Sequence, residues 1–238
     1  MRALLLDLDD TLLDYSSGVD TCWEAACASG APGLPQAALV AALAEARRSF
    51  WSDPEHNRRE RIHMLRAWTR IATRALERCG GDPQLGAAIA EAFAARRRSV
   101  MALFPDALQL LTTVRGLGLP LGLVTNGDAR EQRAKIERHD LARFFDVIVI
   151  EGEFGAGKPD PAVYRCATEA LGVAPGPEVW MAGDHLEFDV DGAQRLGLRA
   201  AWLDRPGLGL PPASAVRPDR IVRDLGELSA ALTALARP

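Results

Sequence analysis

The chain has 238 residues, 48% of them hydrophobic and 25% charged, with a formal net charge of −4. This is ordinary usage for a folded globular protein and excludes global disorder, which needs low hydrophobicity and high net charge. The acidic balance and the lack of a basic tail argue against nucleic acid as a partner. No run approaches the ~18 apolar residues of a membrane span, so no membrane partner is expected either.

Residues 2–8 (RALLLDL) form a short apolar run ended by acids, the pattern of a buried strand that stops at a functional edge. Residues 15–103 follow, rich in Ala, Arg and Leu and without a strand pattern, and read as several helices broken at Gly80-Gly81-Asp82-Pro83. Four more apolar runs come next, at 119–125, 146–150, 178–183 and 199–203. Helical patterns separate or flank them at 105–117, 129–142, 160–172 and 187–197. A short strand at 220–223 and an amphipathic helix close the chain. Strands alternating with helices of this length imply βαβ units, and hence an α/β fold with a doubly wound parallel sheet. The predicted division is a core of residues 1–14 and 104–238, with 15–103 inserted as a helical subdomain.

Cys22, Cys27, Cys79 and Cys166 have neither zinc nor redox spacing and are expected to be free thiols of a reducing compartment. The amino-terminal apolar run is too short for a secretory segment, so a cytoplasmic location is expected.

In an open parallel sheet, ligands bind beyond the carboxyl ends of the strands. Asp7, Asp9 and Asp10 stand after the first run, Thr125 and Asn126 after the second, and Asp184 after the fourth. Residues i and i+2 of an extended segment face one way, so Asp7 and Asp9 are expected to share a space. Carboxylates that close need a proton or a cation between them, and an all-oxygen set suits Mg²⁺.

These segments carry a resemblance. DLDDTLLD (7–14) resembles the DxDxT motif of the haloacid dehalogenase-like (HAD) hydrolase superfamily, and VTNG (124–127) its second motif. GKPDP (157–161) is similar to the lysine motif, and GDHLEFDVDGA (183–193) to the acidic fourth motif. The inserted helical segment resembles the family's cap in position and character.

The resemblance implies a Rossmann-like core and a Mg²⁺-dependent phosphatase that acts on a small phosphorylated metabolite through an aspartyl-phosphate. Asp7 would be the nucleophile, with its other oxygen on the metal. Asp9 would be the acid and base, its backbone carbonyl also a metal ligand. Thr125 and the Asn126 backbone N–H would hold the phosphoryl oxygens, and Lys158 would neutralise Asp7 and the phosphoryl group. Asp184 would bind the metal directly, with Asp189 behind it. His185 departs from the usual pattern and is read as a loop residue.

Alternatives remain open at this point. A 2-haloacid dehalogenase shares the cap-and-core layout but needs neither the second carboxylate nor a metal, so Asp9 and the fourth motif count against it. A phosphomutase shares every core motif. A phospho-accepting receiver domain clusters similar residues, but in about half the length and without a cap. Monomer and homodimer are not distinguished.

The inserted segment holds twelve arginines against nine acids, a net +3, which leaves −7 on the rest of the chain. Arg58, Arg59, Arg61, Arg66 and Arg70 lie in one stretch of it. A basic lid would suit an anionic substrate, although a solvated helical face accounts for most such arginines. Trp51 and Trp68 are read as packing residues.

Overall fold

The computed structural model describes residues 1–236. Its chain divides into two compact units, Met1–Asp14 with Ala102–Pro238, and Tyr15–Met101.

The first unit is built on a six-stranded, wholly parallel sheet of β1 (Ala3–Leu6), β2 (Leu121–Thr125), β3 (Val147–Ile150), β4 (Val179–Gly183), β5 (Arg199–Leu203) and β6 (Arg220–Val222). Their spatial order is β3-β2-β1-β4-β5-β6. Every residue of β1, β2 and β4 is buried, which explains why these segments read as continuous apolar runs rather than alternating ones. From β1 the chain winds outward through β2 and β3, then returns to place β4 on the opposite side. The direction of winding therefore reverses between β1 and β4, where doubly wound sheets open a crevice. Leu6 is in register with Ala182, so the segments that follow β1 and β4 emerge side by side.

Helices α6 (Ala107–Gly116), α7 (Ala129–Arg138), α8 (Glu151–Phe154), α9 (Pro161–Ala170), α10 (Gly192–Arg195) and α11 (Leu225–Ala236) connect or follow the strands. Asp128 caps α7 by accepting from the N–H groups of Arg130 and Glu131. Asp160 caps α9 in the same way, with Pro161 in the first turn, where its missing N–H costs nothing.

The helix expected over 187–197 is different in fact. Leu186–Asp191 forms a π-helical turn, and only Gly192–Arg195 is α-helical. A Cβ at Gly192 would come within 2.3 Å of the Tyr164 hydroxyl and 3.0 Å of the Pro159 Cα. The wide turn thus brings bare backbone close to α9, and it carries Asp189 inward.

The second unit holds α1 (Val19–Gly30), α2 (Gln36–Trp51), α3 (Pro54–Glu60), α4 (Met64–Arg78) and α5 (Gly86–Val100), with no strand among its residues. Its core centres on Trp23, stacked on Phe93 at 3.8 Å, with Trp68 edge-on to the same ring at 5.1 Å. Leu39, Leu43, Ile71, Leu76 and Ile89 fill in around them. This unit ends at Met101, before the expected residue 103, because Leu103 already pairs antiparallel with Leu13 in the first unit. All four cysteines are free. Among the described residues no helix is long and apolar enough to cross a membrane.

Candidate active site

The site is assembled at the carboxyl ends of β1, β2 and β4, wholly within the first unit. Asp7 leaves β1 with its N–H bonded to the Ala182 carbonyl at 3.0 Å, so its position is fixed by the neighbouring strand. One oxygen, Oδ1, accepts from Lys158 Nζ at 2.6 Å, and Oδ2 accepts from the Thr11 hydroxyl at 3.1 Å. Thr11 also reaches Asp184 Oδ1 at 3.4 Å. Lys158 donates equally to Asp189 Oδ1 at 2.6 Å, and Asp189 Oδ2 accepts from the His185 backbone N–H at 2.9 Å.

Carboxylate oxygens of Asp7, Asp184 and Asp189 lie within 4.8 Å of one another. Lys158, 2% exposed, is the cation paired with this cluster. One lysine against three clustered carboxylates leaves a surplus of negative charge in a dry place.

The acidities show the same imbalance. Burial pushes the Asp7 carboxyl up to about 7, Lys158 opposing and Asp189 adding to the rise. Asp184 is pushed up to about 8 by burial and by the charges of Asp7, Asp189 and Asp10. For Lys158, burial works against the charged form, but Asp189 and Asp7 together overcome it and hold the ammonium well above its ordinary range. A compact oxygen set short of positive charge fits a hard divalent cation such as Mg²⁺.

A pH effect follows. Asp7 and Asp184 bind protons more tightly when folded than unfolded, so in metal-free protein their contribution to stability is full at low pH and declines between about pH 4 and 8. A divalent cation competes with those protons. Saturating Mg²⁺ is therefore expected to raise the melting temperature more at pH 8 than at pH 6, measured by differential scanning fluorimetry. Equal shifts at the two pH values would contradict the assignment.

Asp9 was expected to face the same space as Asp7. Instead its carboxylate turns to α7, where Lys135 Nζ donates to Oδ1 at 2.9 Å and Oδ2 at 2.7 Å, and Gln132 Nε2 donates to Oδ2 at 3.1 Å. The alternation of a strand does not carry past Leu6, where β1 ends. Asp10 then takes a left-handed φ of 56°, bending the segment back so that its N–H meets the Leu13 carbonyl at 2.7 Å. Lys135, 6% exposed, needs a counter-charge, and Asp9 supplies it.

Gln132 also donates to the Thr125 hydroxyl at 2.6 Å, tying Thr125 and Asp9 to one helix. The Asn126 side chain is occupied otherwise than by substrate. Its amide donates to the Lys158 carbonyl at 2.8 Å and accepts from the Lys158 N–H at 2.7 Å, holding the lysine's backbone from both sides. The peptide between Lys158 and Pro159 is cis.

Four residues the sequence did not single out take part. Gln132 and Lys135 looked like ordinary polar positions of a charged helix. Glu151, buried, accepts from the Gly127 N–H at 2.8 Å and fixes the loop after β2. Arg205 lies 3.4 Å above the Phe104 ring and donates to the Asp10 and Thr11 carbonyls at 3.3 and 2.7 Å, bracing the loop after β1. Only its place just past β5 could have signalled it. His185 is a loop residue as read: its ring stacks on Phe188 at 4.0 Å, and Nδ1 accepts from the Phe188 N–H. Gly183 is required where it stands, since a Cβ there would meet the Asp189 carboxyl at 2.3 Å.

The chain is 38% identical to a phosphoserine phosphatase of Thermus thermophilus, over 96% of this chain and 98% of the relative. Its fold matches a HAD-hydrolase, YfnB, of Bacillus subtilis, with a TM-score of 0.75 and 21% identity over 97% of this chain and 98% of that one. It is also similar to a 2-haloacid dehalogenase of Pseudomonas syringae, with a TM-score of 0.70 and 28% identity over 99% and 100% of the two chains. The family model for haloacid dehalogenase-like hydrolases matches residues 1–197, and with the parallel core and its clustered carboxylates, the chain belongs to that family of hydrolytic enzymes.

Proposed function

We propose that the protein is a Mg²⁺-dependent phosphatase that hydrolyses a small phosphorylated metabolite through an aspartyl-phosphate on Asp7. The observation that carries this reading is the carboxylate surplus around one lysine, together with a further carboxylate, Asp9, in the segment after β1 and paired with Lys135 of α7. A carbon–halogen hydrolase of the same fold has no use for either.

Asp7 is the nucleophile, and Thr11 and Lys158 fix the direction of its oxygens. As the Asp7–phosphorus bond forms, the bond from phosphorus to the substrate's alcohol oxygen breaks. Asp9, in its protonated form, gives that oxygen its proton. The Asp9 carboxylate then takes a proton from water, whose oxygen attacks phosphorus, releasing phosphate and restoring Asp7. Asp7, Asp184 and the Asp9 carbonyl, with Asp189 behind them, would hold Mg²⁺, which when bound would supply charge neutralisation for the phosphoryl oxygens.

Lys158 and the hydroxyl of Thr125 face the remaining phosphoryl charge, with the Asn126 N–H beside them. Lys135 and Gln132 park Asp9 until it is needed. Because Gln132 grips Thr125 as well, the groups that hold phosphate and those that handle protons move with one helix.

The test is hydrolysis of p-nitrophenyl phosphate with Mg²⁺ and with EDTA, alongside halide release from 2-chloropropionate. Turnover of the phosphate ester that EDTA abolishes is the expected result. Metal-independent halide release without phosphatase activity would make the dehalogenase the correct reading.

A further inference from the structure

Helix α7 buries two polar side chains at i, i+3 spacing, Gln132 at 2% exposure and Lys135 at 6%. Burying a lysine is costly unless a counter-charge meets it, and an apolar residue there would carry no such cost. The counter-charge is Asp9, to whose two oxygens Lys135 Nζ donates at 2.9 and 2.7 Å. Lys135 Nζ also donates to Gln132 Oε1 at 2.5 Å. Gln132 Nε2 then donates to the Thr125 hydroxyl at 2.6 Å and to Asp9 Oδ2 at 3.1 Å. All four residues belong to the first unit.

The direction of each bond in this relay is dictated by its first member. An ammonium has donors and no acceptor, so the amide oxygen of Gln132 must face Lys135 and its NH₂ must face the other way. The opposite setting would oppose donors to donors at Lys135 and acceptors to acceptors at Asp9. Both N–H bonds of the amide are therefore committed, one to Asp9 and one to Thr125. The Thr125 hydroxyl, buried, is in turn made an acceptor on that side. Its own proton has the Asn126 carbonyl at 3.5 Å, too long for a good O–H bond. A hydroxyl proton is thus left poorly satisfied at the end of β2, the strand paired with the one that delivers Asp7.

We propose that Gln132 and Lys135 are positioning residues of the reaction. Lys135 fixes the polarity of the Gln132 amide, which aims the Thr125 hydroxyl proton at the phosphoryl oxygens and steadies the Asp9 carboxylate beside it. The inference rests on the phosphatase reading of the site. Neither residue touches substrate, and each acts through Thr125 or Asp9. A hydroxyl that is already aimed stabilises charge on the phosphoryl oxygens as it develops, without first having to turn. Gln132→Glu is the informative change, since it keeps the size of the side chain and the bond from Lys135 but replaces the NH₂ by an acceptor. Thr125 would then donate its proton to the new carboxylate, away from the phosphoryl group, and Asp9 would face a like charge.

The full chain and its variants are compared, with Mg²⁺ present, on two esters. The leaving group of 2,4-dinitrophenyl phosphate departs without a proton, whereas that of phenyl phosphate needs one. The value of kcat/KM covers the steps up to the aspartyl-phosphate, so on the dinitrophenyl ester it senses Thr125 and not the acid Asp9. On that ester Gln132→Glu should lower kcat/KM about tenfold or more where Thr125 is present, and less than about threefold where Thr125→Val has removed the hydroxyl. Lys135→Met should lower kcat/KM for phenyl phosphate about tenfold further than for the dinitrophenyl ester, because Asp9 has lost its anchor. This second comparison is a ratio within one preparation, so any unfolded fraction of the variant cancels from it. The inference is overturned by a Gln132→Glu loss that is the same with and without the Thr125 hydroxyl. A Lys135→Met loss on phenyl phosphate no greater than on the dinitrophenyl ester would overturn it as well. Wild-type protein inert on both esters would sink the phosphatase reading itself, and the inference with it.

Discussion

Asp7→Asn is expected to abolish turnover of any phosphate ester, by about 10⁴-fold or more, while the protein stays folded. The amide is nearly isosteric with the carboxylate, and it can still accept from Lys158 or from Thr11. What it lacks is the anionic oxygen that forms the bond to phosphorus. The substitution also removes one of three clustered carboxylates, relieving part of the repulsion that, added to burial, makes Asp184 a weaker acid. The variant should therefore melt at or above the wild-type temperature in metal-free buffer, and gain less from Mg²⁺. Single-turnover kinetics and thermal unfolding, run together, check both halves. Residual activity above about one per cent would displace Asp7 as nucleophile.

The second large effect is expected at Lys158. Lys158→Met leaves Asp7 and Asp189 buried without their shared cation, and breaking a buried pair in this way costs about 3–5 kcal/mol. The sign of its pH dependence is set by the orphaned acids. In the unfolded chain they ionise near pH 4, whereas in the folded variant they must stay protonated or remain charged in a dry site. The loss should thus be small near pH 5 and grow toward pH 8, as measured by urea denaturation at both values. Activity should be lost at both, since the phosphoryl charge and Asp7 are then unbalanced. A pH-independent loss of stability would mean that Lys158 contributes by packing alone.

Much of the fold was legible in the residues. Each predicted strand is present, most of them shortened by a residue or more, because short apolar runs set between helical patterns are readily read as strands. The start of α9 was equally plain, since Asp160 followed by Pro161 has a direct physical meaning at a helix N-terminus. The grouping of Asp7 with Asp184 was expected at strand ends, and that of Lys158 with them was implied by the resemblance of GKPDP to the lysine motif.

The rest depended on tertiary detail. Nothing local distinguishes Lys135 in AREQRAKIER from a solvated lysine, yet it is buried and paired. The outward turn of Asp9 depends on the left-handed residue after it, and an Asp in that conformation leaves no mark in the sequence. The π-helical turn after Asp184 replaced a predicted regular helix because two glycines, Gly183 and Gly192, admit contacts that no side chain could share.

The two crossings between the units show how such a chain can be built. Leu13 pairs with Leu103, and the Asp14 N–H meets the Ala102 carbonyl at 2.9 Å, so the outgoing and returning segments are fastened side by side on the core. To the sheet, everything from Tyr15 to Met101 is one long excursion whose ends are already joined. The entropy of closing an excursion grows only as the logarithm of its length. The core's folding is therefore nearly indifferent to how much chain lies beyond that clasp, and to its composition. One unit can change in length and sequence while the sheet of the other stays as it is.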